Sequence, residues 1–209
     1  MRNIAKGGEP ESLTLHRMSP HATYANYQAK AELRNFLVQE QRGLCCYCMR
    51  RIRSDDGGTT IEHWHPQSRY PKEQLDYKNL LATCSGITNG YLHCDASKAN
   101  KNLSGNPADP QDRVEERIRY KPNGEIASDD TNFDAELTGV LNLNLPFLVN
   151  NRKAVLNGFA ESLGKKGAVP LKRRELENLI KKWSGQGGGD LDEYCQVIIY
   201  WLQKRLRRL

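Results

Sequence analysis

Five of the six cysteines and three of the five histidines fall between residues 43 and 103, so the chemistry available to this chain is concentrated in less than a third of it. Cys45-Cys46-Tyr47-Cys48 contains a C-x-x-C, and Cys84 and Cys94 form a second, wider pair. Two thiols two residues apart can grip one face of a tetrahedral ion from a tight turn. Four thiolates fill the sphere, leaving no open position, which is the mark of a structural zinc site. Cys45, Cys48, Cys84 and Cys94 are the expected ligands. His93 beside Cys94 is an alternative ligand, and Cys46 competes with Cys45. A segment poor in large apolar residues needs such a staple, and zinc can supply on the order of ten kcal/mol of folding energy.

Between the cysteine pairs lies Ile61-Glu62-His63-Trp64-His65-Pro66. Sixteen residues after His63 comes Asn79, and sixteen further comes Asp95, directly after Cys94. A zinc frame tying the loop before the first strand to the start of a helix at Cys94 draws His63, Asn79 and Asp95 into one pocket. The chemistry that fits is phosphodiester hydrolysis. A neutral imidazole takes a proton from water near neutral pH. Asn79 holds that ring, or its loop, in place. Glu62 and Asp95 offer hard oxygen ligands for Mg²⁺ or Mn²⁺, and such an ion stabilises charge on a phosphate. Lys98, one helical turn beyond Asp95, is expected to touch the same phosphate. His65 has no role assigned by spacing.

The elements that must position these residues follow from periodicity. Residues 1–22 read as an extended arm rich in Gly, Pro, Ser and His. A helix is expected over 23–42, stopped by Gly43. Residues 23–110 make the metal-organised module, and residues 111–209 a hairpin with a helical C-terminal region. The hairpin turns on Lys121-Pro122-Asn123-Gly124 within 117–127. Helices are expected over 146–163 and 170–183, each opening with a Pro in its first turn. A third is expected after the glycines at 187–189, with Asp190 as N-cap and Val197, Ile198, Trp201 and Leu202 as its apolar face.

Apolar residues at 38% and charged residues at 27% permit a folded core and argue against disorder. No apolar run suits a membrane span, and the first residues lack a signal-peptide core, so a cytoplasmic location is expected. A reducing compartment favours metal ligation over disulfides. The net charge of +6 is uneven: residues 146–209 carry 13 Lys/Arg against 6 Asp/Glu, whereas 1–145 carry 18 against 19. A nucleic-acid partner explains that excess, as does a solvated helix surface.

At these residues the sequence resembles the HNH endonuclease superfamily. The pieces are Cys45/Cys48, Glu62-His63-Trp64-His65-Pro66, Asn79-Leu80, and Cys94-Asp95 followed by Lys98, within residues 43–102. More narrowly, Gly43-Leu44-Cys45-Cys46-Tyr47-Cys48, Ile61-Glu62-His63-Trp64 and His93-Cys94-Asp95-Ala96-Ser97-Lys98 resemble the HNH nuclease of Septu and some retron anti-phage defence systems. Leu141-Asn142-Leu143-Asn144 and Asn151-Arg152 are also similar to that group. Glu62 stands where the family more commonly has Asp, and Asp95 where it has His or Asn; both still ligate hard metals. The resemblance implies an α+β fold built on a zinc-stapled ββα-metal module and cleavage that leaves a 5′-phosphate. It also implies a role beside an ABC/SMC-like ATPase partner. The rival expectations are a zinc-built module that binds nucleic acid or protein without cutting, and a scaffold for an ATPase.

Overall fold

A computed structural model of the chain describes residues 1–55, 57–164 and 171–209. Its first element corrects the expectation of an extended N-terminal arm. Pro10 stands at the N-cap of helix α1 (Glu11–Arg17), Glu11 lies in the first turn, and His16 and Arg17 lie in the last. Those charges complement the helix dipole, and Leu13 is fully buried beneath them.

Helix α2 (Lys30–Glu40) is shorter than its periodicity suggests. Thr23 and Asn26 explain the late start: each side chain accepts a hydrogen bond from the other's backbone N–H, at 2.8 and 3.3 Å, which holds a turn in place of helix. The helix stops where Gly43 demands it. Arg42 and Gly43 both take positive φ, and the Gly43 N–H returns to the Val38 carbonyl.

Strand β1 (Thr59–His63) opens with β-branched residues and pairs antiparallel with β2 (Leu80–Cys84), in a register that sets Glu62 opposite Leu81 and His63 opposite Leu80. The outer edge of β2 is covered by the segment after α2. The buried side chain of Gln41 accepts from the Ala82 N–H at 2.6 Å and donates to the Ala82 and Leu44 carbonyls. The Cys46 N–H also donates to Ala82. A small hairpin, β3 (Ile87–Thr88) and β4 (Tyr91–Leu92), leads to helix α3 (Cys94–Lys98), which packs on β2.

Beyond a short helix α4 (Val114–Arg117), the expected hairpin forms from β5 (Arg119–Tyr120) and β6 (Ile126–Ala127). Helix α5 (Thr131–Ala135) widens into a π-helical turn over Glu136–Val140. Helix α6 (Pro146–Gly164) opens on its proline as predicted. Arg152, buried on α6, donates to the Gly124 and Leu143 carbonyls at 2.6 and 2.8 Å and so ties the hairpin to the helix. Helix α7 spans Arg173–Trp183, and the Pro170 start expected for it lies outside the described residues. Helix α8 (Cys195–Leu206) begins later than its glycines suggest, because residues 190–194 are spent on contacts to residues 42–51. Asp190 is therefore not its N-cap; its carboxylate pairs with Arg51 at 3.1 Å. Val197, Ile198 and Leu202 are buried, and α8 packs against α6 and α7.

The fold is α+β. One buried cluster runs from Met1 to Val197 and crosses position 110, and Leu176, Ile198 and Leu202 form a smaller one among the C-terminal helices. Among the described residues no helix is long and apolar enough to cross a membrane. Gln41→Ala leaves the Ala82 N–H buried without its acceptor. It should cost about 1–3 kcal/mol, read as a lower denaturant midpoint with an unchanged slope.

Candidate functional site

The C-x-x-C is a knuckle closed by backbone bonds: the Cys45 N–H donates to the Arg50 carbonyl at 2.9 Å and the Met49 N–H to the Cys45 carbonyl at 3.1 Å. Met49 takes a φ of 65°, the left-handed turn such a loop requires. The second pair is brought in by β2, which ends at Cys84, and by Cys94 at the start of α3. Gly86 makes this possible. It sits at φ 71°, and a Cβ there would lie 2.5 Å from the His93 carbonyl oxygen.

All four sulfurs lie within 4.8 Å of one another and are buried. Cys45 and Cys94 are 3.9 Å apart, and Cys48 and Cys84 3.7 Å. A tetrahedral ion with Zn–S bonds of about 2.3 Å separates its sulfurs by roughly 3.8 Å, so a metal ion such as zinc fits this cage. The thiols are ill at ease without one. Burial pushes Cys48 and Cys94 well above the ordinary thiol value. Burial also opposes ionisation of Cys45, yet hydrogen bonds from the surrounding sulfurs hold that thiol well below it.

Neither alternative ligand joins the set. The ring of His93 is an outer partner, with Nδ1 3.2 Å from the Cys94 sulfur and Nε2 3.3 Å from the Thr88 hydroxyl. Cys46 lies outside the four-sulfur cluster.

From this frame two side chains reach the same carboxylate. Tyr47, inside the knuckle, donates to Glu62 Oε1 at 2.8 Å, and Lys98, at the end of α3, meets that oxygen at 2.7 Å. Lys98 also donates to the His63 carbonyl at 3.1 Å. The Lys98 side chain is fully buried, so the expected phosphate contact from Lys98 is corrected: its ammonium neutralises Glu62 and anchors the end of β1. Burial pushes the Glu62 carboxyl up to about 8, with a hydrogen bond to Asp95 and the Asp95 charge adding to the rise and Lys98 opposing it. Two carboxylates are thus held together against one ammonium. Their donor set suits a hard divalent cation, which would relieve the repulsion and take its remaining ligands from water or phosphate.

His63 lies beside them. Its Nε2 is 2.9 Å from the Gln74 carbonyl, which can only accept, so Nε2 carries the proton and Nδ1 the lone pair. Burial lowers its pKa from the ordinary value and Lys98 lowers it further, while the Gln74 bond and Asp95 act the other way. The imidazole is therefore neutral near pH 7. The exposed Gln67 amide donates to Nδ1 at 3.3 Å.

Asn79 does not touch the His63 ring. Its Oδ1 accepts from the His65 N–H at 2.7 Å, and its Nδ2 donates to the His65 and Glu73 carbonyls at 3.1 and 3.2 Å. It braces the loop between β1 and β2, which carries Gln74. His65 is a strut in that loop, 2.6 Å from a Glu73 oxygen and stacked on Tyr70.

Tyr47, Gln67 and Gln74 are the site residues that sequence reasoning missed. Tyr47 had a weak signal, lying between two expected ligands. Gln74 acts through its carbonyl, which no side-chain pattern reveals.

No protein-family model matches the chain, and no curated protein matches its sequence.

Three changes should separate cage from site. Cys48→Ser and Gly86→Ala should both lower the thermal midpoint and the bound zinc measured by elemental analysis. The glycine change should cost more than about 1 kcal/mol through strain alone. Tyr47→Phe should retain zinc while losing a buried hydrogen bond worth about 1–2 kcal/mol, read by chemical denaturation.

Proposed function

We propose that this chain is a metal-dependent endonuclease of the HNH type that hydrolyses nucleic-acid phosphodiester bonds. The observation that carries the reading is a neutral His63, whose Nε2 bonds the Gln74 carbonyl and leaves Nδ1 its lone pair, next in β1 to Glu62, whose carboxyl is hydrogen-bonded to Asp95. The β1–β2 hairpin with α3 against it supports this reading, being the two strands and one helix that a ββα-metal unit would use, and the cysteine cage would hold its structural zinc.

In this reading His63 is the general base. Gln67, being exposed, swings away and lets a water approach Nδ1. The imidazole takes its proton as the oxygen attacks phosphorus, and the bond to the 3′-oxygen breaks, leaving a 5′-phosphate. Neutral His63 suits that task because a protonated ring has no lone pair to offer. Mg²⁺ or Mn²⁺ held by Glu62 and Asp95 would stabilise charge on the phosphate and the leaving oxygen. Asn79 and Lys98 hold the two ends of the His63 loop, and Tyr47 fixes Glu62 Oε1.

The resemblance to Septu and retron-associated nucleases further supports a place in an anti-phage complex with an ABC/SMC-like ATPase, within the cytoplasm.

Purified protein should nick plasmid DNA or cleave total tRNA with Mg²⁺ or Mn²⁺ and stop with EDTA. His63→Ala should lower the rate by about 100-fold or more while leaving the thermal midpoint and zinc content near wild type. Cleavage that survives both EDTA and His63→Ala would overturn the reading. Metal-indifferent binding without cleavage, with or without the neighbouring ATPase, would replace it by a zinc-built binding module.

A further inference from the structure

The turn before α2 and the first half of that helix bring to His63 a set of donors that the proposed hydrolysis does not use. The Tyr24 ring packs against the His63 ring, with centroids 4.5 Å apart and planes at 87°. Gln74 fixes that contact from both sides. Its side-chain oxygen accepts from the Tyr24 N–H at 2.9 Å, while its carbonyl accepts from His63 Nε2 at 2.9 Å.

Lys30 lies over the Tyr24 ring, 4.9 Å from its centroid. Arg34 follows one turn later on α2, a spacing that puts the two cations on one helix face. Burial pushes the Tyr24 hydroxyl up to about 12, with the Arg34 charge opposing the rise and Asp95 adding to it.

Arg34 is unspent. Its Nε is shut off from solvent and has no hydrogen-bond partner, and the guanidinium makes no ion pair among the described residues. The buried Arg152, by contrast, spends its guanidinium on the Gly124 and Leu143 carbonyls and Asn144 Oδ1. The Tyr24 hydroxyl likewise has no protein partner among the described residues. A shielded cationic donor without an acceptor is costly, and the group that satisfies a planar guanidinium and a hydroxyl together is a phosphate.

We propose that Arg34 and Tyr24, supported by Lys30, bind a backbone phosphate of the nucleic acid next to the one that is cut, and that this edge reads no base. The second half follows from the rings around the site. Lys30 covers Tyr24, Tyr70 is stacked on His65, and Trp64 packs on His65 and donates its indole N–H to the Gly105 carbonyl. With those aromatic groups engaged, the strand is held through its phosphates and the contact is indifferent to sequence. The inference rests on the nuclease reading for the identity of the ligand, but binding can be measured without cleavage.

The test is fluorescence anisotropy of labelled mixed-sequence duplex DNA and single-stranded RNA with the zinc-loaded whole chain in buffer containing no Mg²⁺ or Mn²⁺. The variants are Arg34→Met, Arg34→Lys and Tyr24→Phe, beside the exposed-turn control Lys121→Met. Arg34→Met should weaken binding about tenfold for every sequence and lower the slope of log K against log salt by about one. Arg34→Lys should recover the slope but only part of the affinity, a pattern that a misfolded variant does not give. Tyr24→Phe should weaken binding less, and Lys121→Met should bind as wild type. Wild-type affinity and slope in Arg34→Met would overturn the phosphate edge while leaving the nuclease reading standing. Loss confined to one oligonucleotide sequence would overturn its indifference to bases. If Arg34 proves necessary for binding but wild type with metal never cleaves, the edge stands and the nuclease reading falls.

Discussion

Four buried thiols within 4.8 Å of one another are the constraint on which the rest of this molecule depends. Their positions come from three separate stretches: a knuckle after α2, the end of β2, and the start of α3. Burial alone drives such groups toward the neutral thiol, so a cage of this shape is stable as an anionic cluster only around a cation. What the cage fixes is larger than itself. Tyr47 leaves the knuckle to hold Glu62, and Lys98 leaves the far end of α3 to hold the same oxygen and the His63 carbonyl. Geometry at the carboxylates is therefore inherited from geometry at the sulfurs.

Electrostatics at the second centre are unbalanced in an informative way. A buried ion pair contributes little net stability once desolvation is counted. Here Glu62 and Lys98 are joined by a second carboxylate, Asp95, and burial, with the Asp95 hydrogen bond and charge adding to it, pushes Glu62 up to about 8. Close by, His63 is kept neutral and Arg34 is left without an acceptor. Such a set of mismatched groups is expensive to bury for stability alone, and perturbed groups of this kind gather where ligands and reacting atoms are handled.

The C-terminal half contributes support. Arg152 and Asn144, which in the sequence look like members of a family signature, bind the β5–β6 hairpin to α6 through backbone carbonyls and amides. Asn151 reaches the Tyr194 hydroxyl, and the Tyr194 N–H reaches the Met49 carbonyl behind the knuckle. The helical region thus buttresses the knuckle that carries Cys45 and Cys48.

Residue type and spacing determined the metal chemistry. C-x-x-C is a local constraint, and the two later cysteines have few other uses in a segment so poor in large apolar residues. The hairpin at Lys121–Gly124 and the proline start of α6 were legible for the same local reason. The sequence also placed Glu62, His63, Asn79 and Asp95 in one region. It did not show which atom of each faces which. That Asn79 braces a loop instead of the imidazole, that Lys98 is buried on Glu62 and closed to a phosphate, and that Tyr24 packs on the His63 ring were decided by packing. These contacts join residues far apart in the chain and run largely through backbone carbonyls and burial, neither of which leaves a mark on side-chain spacing.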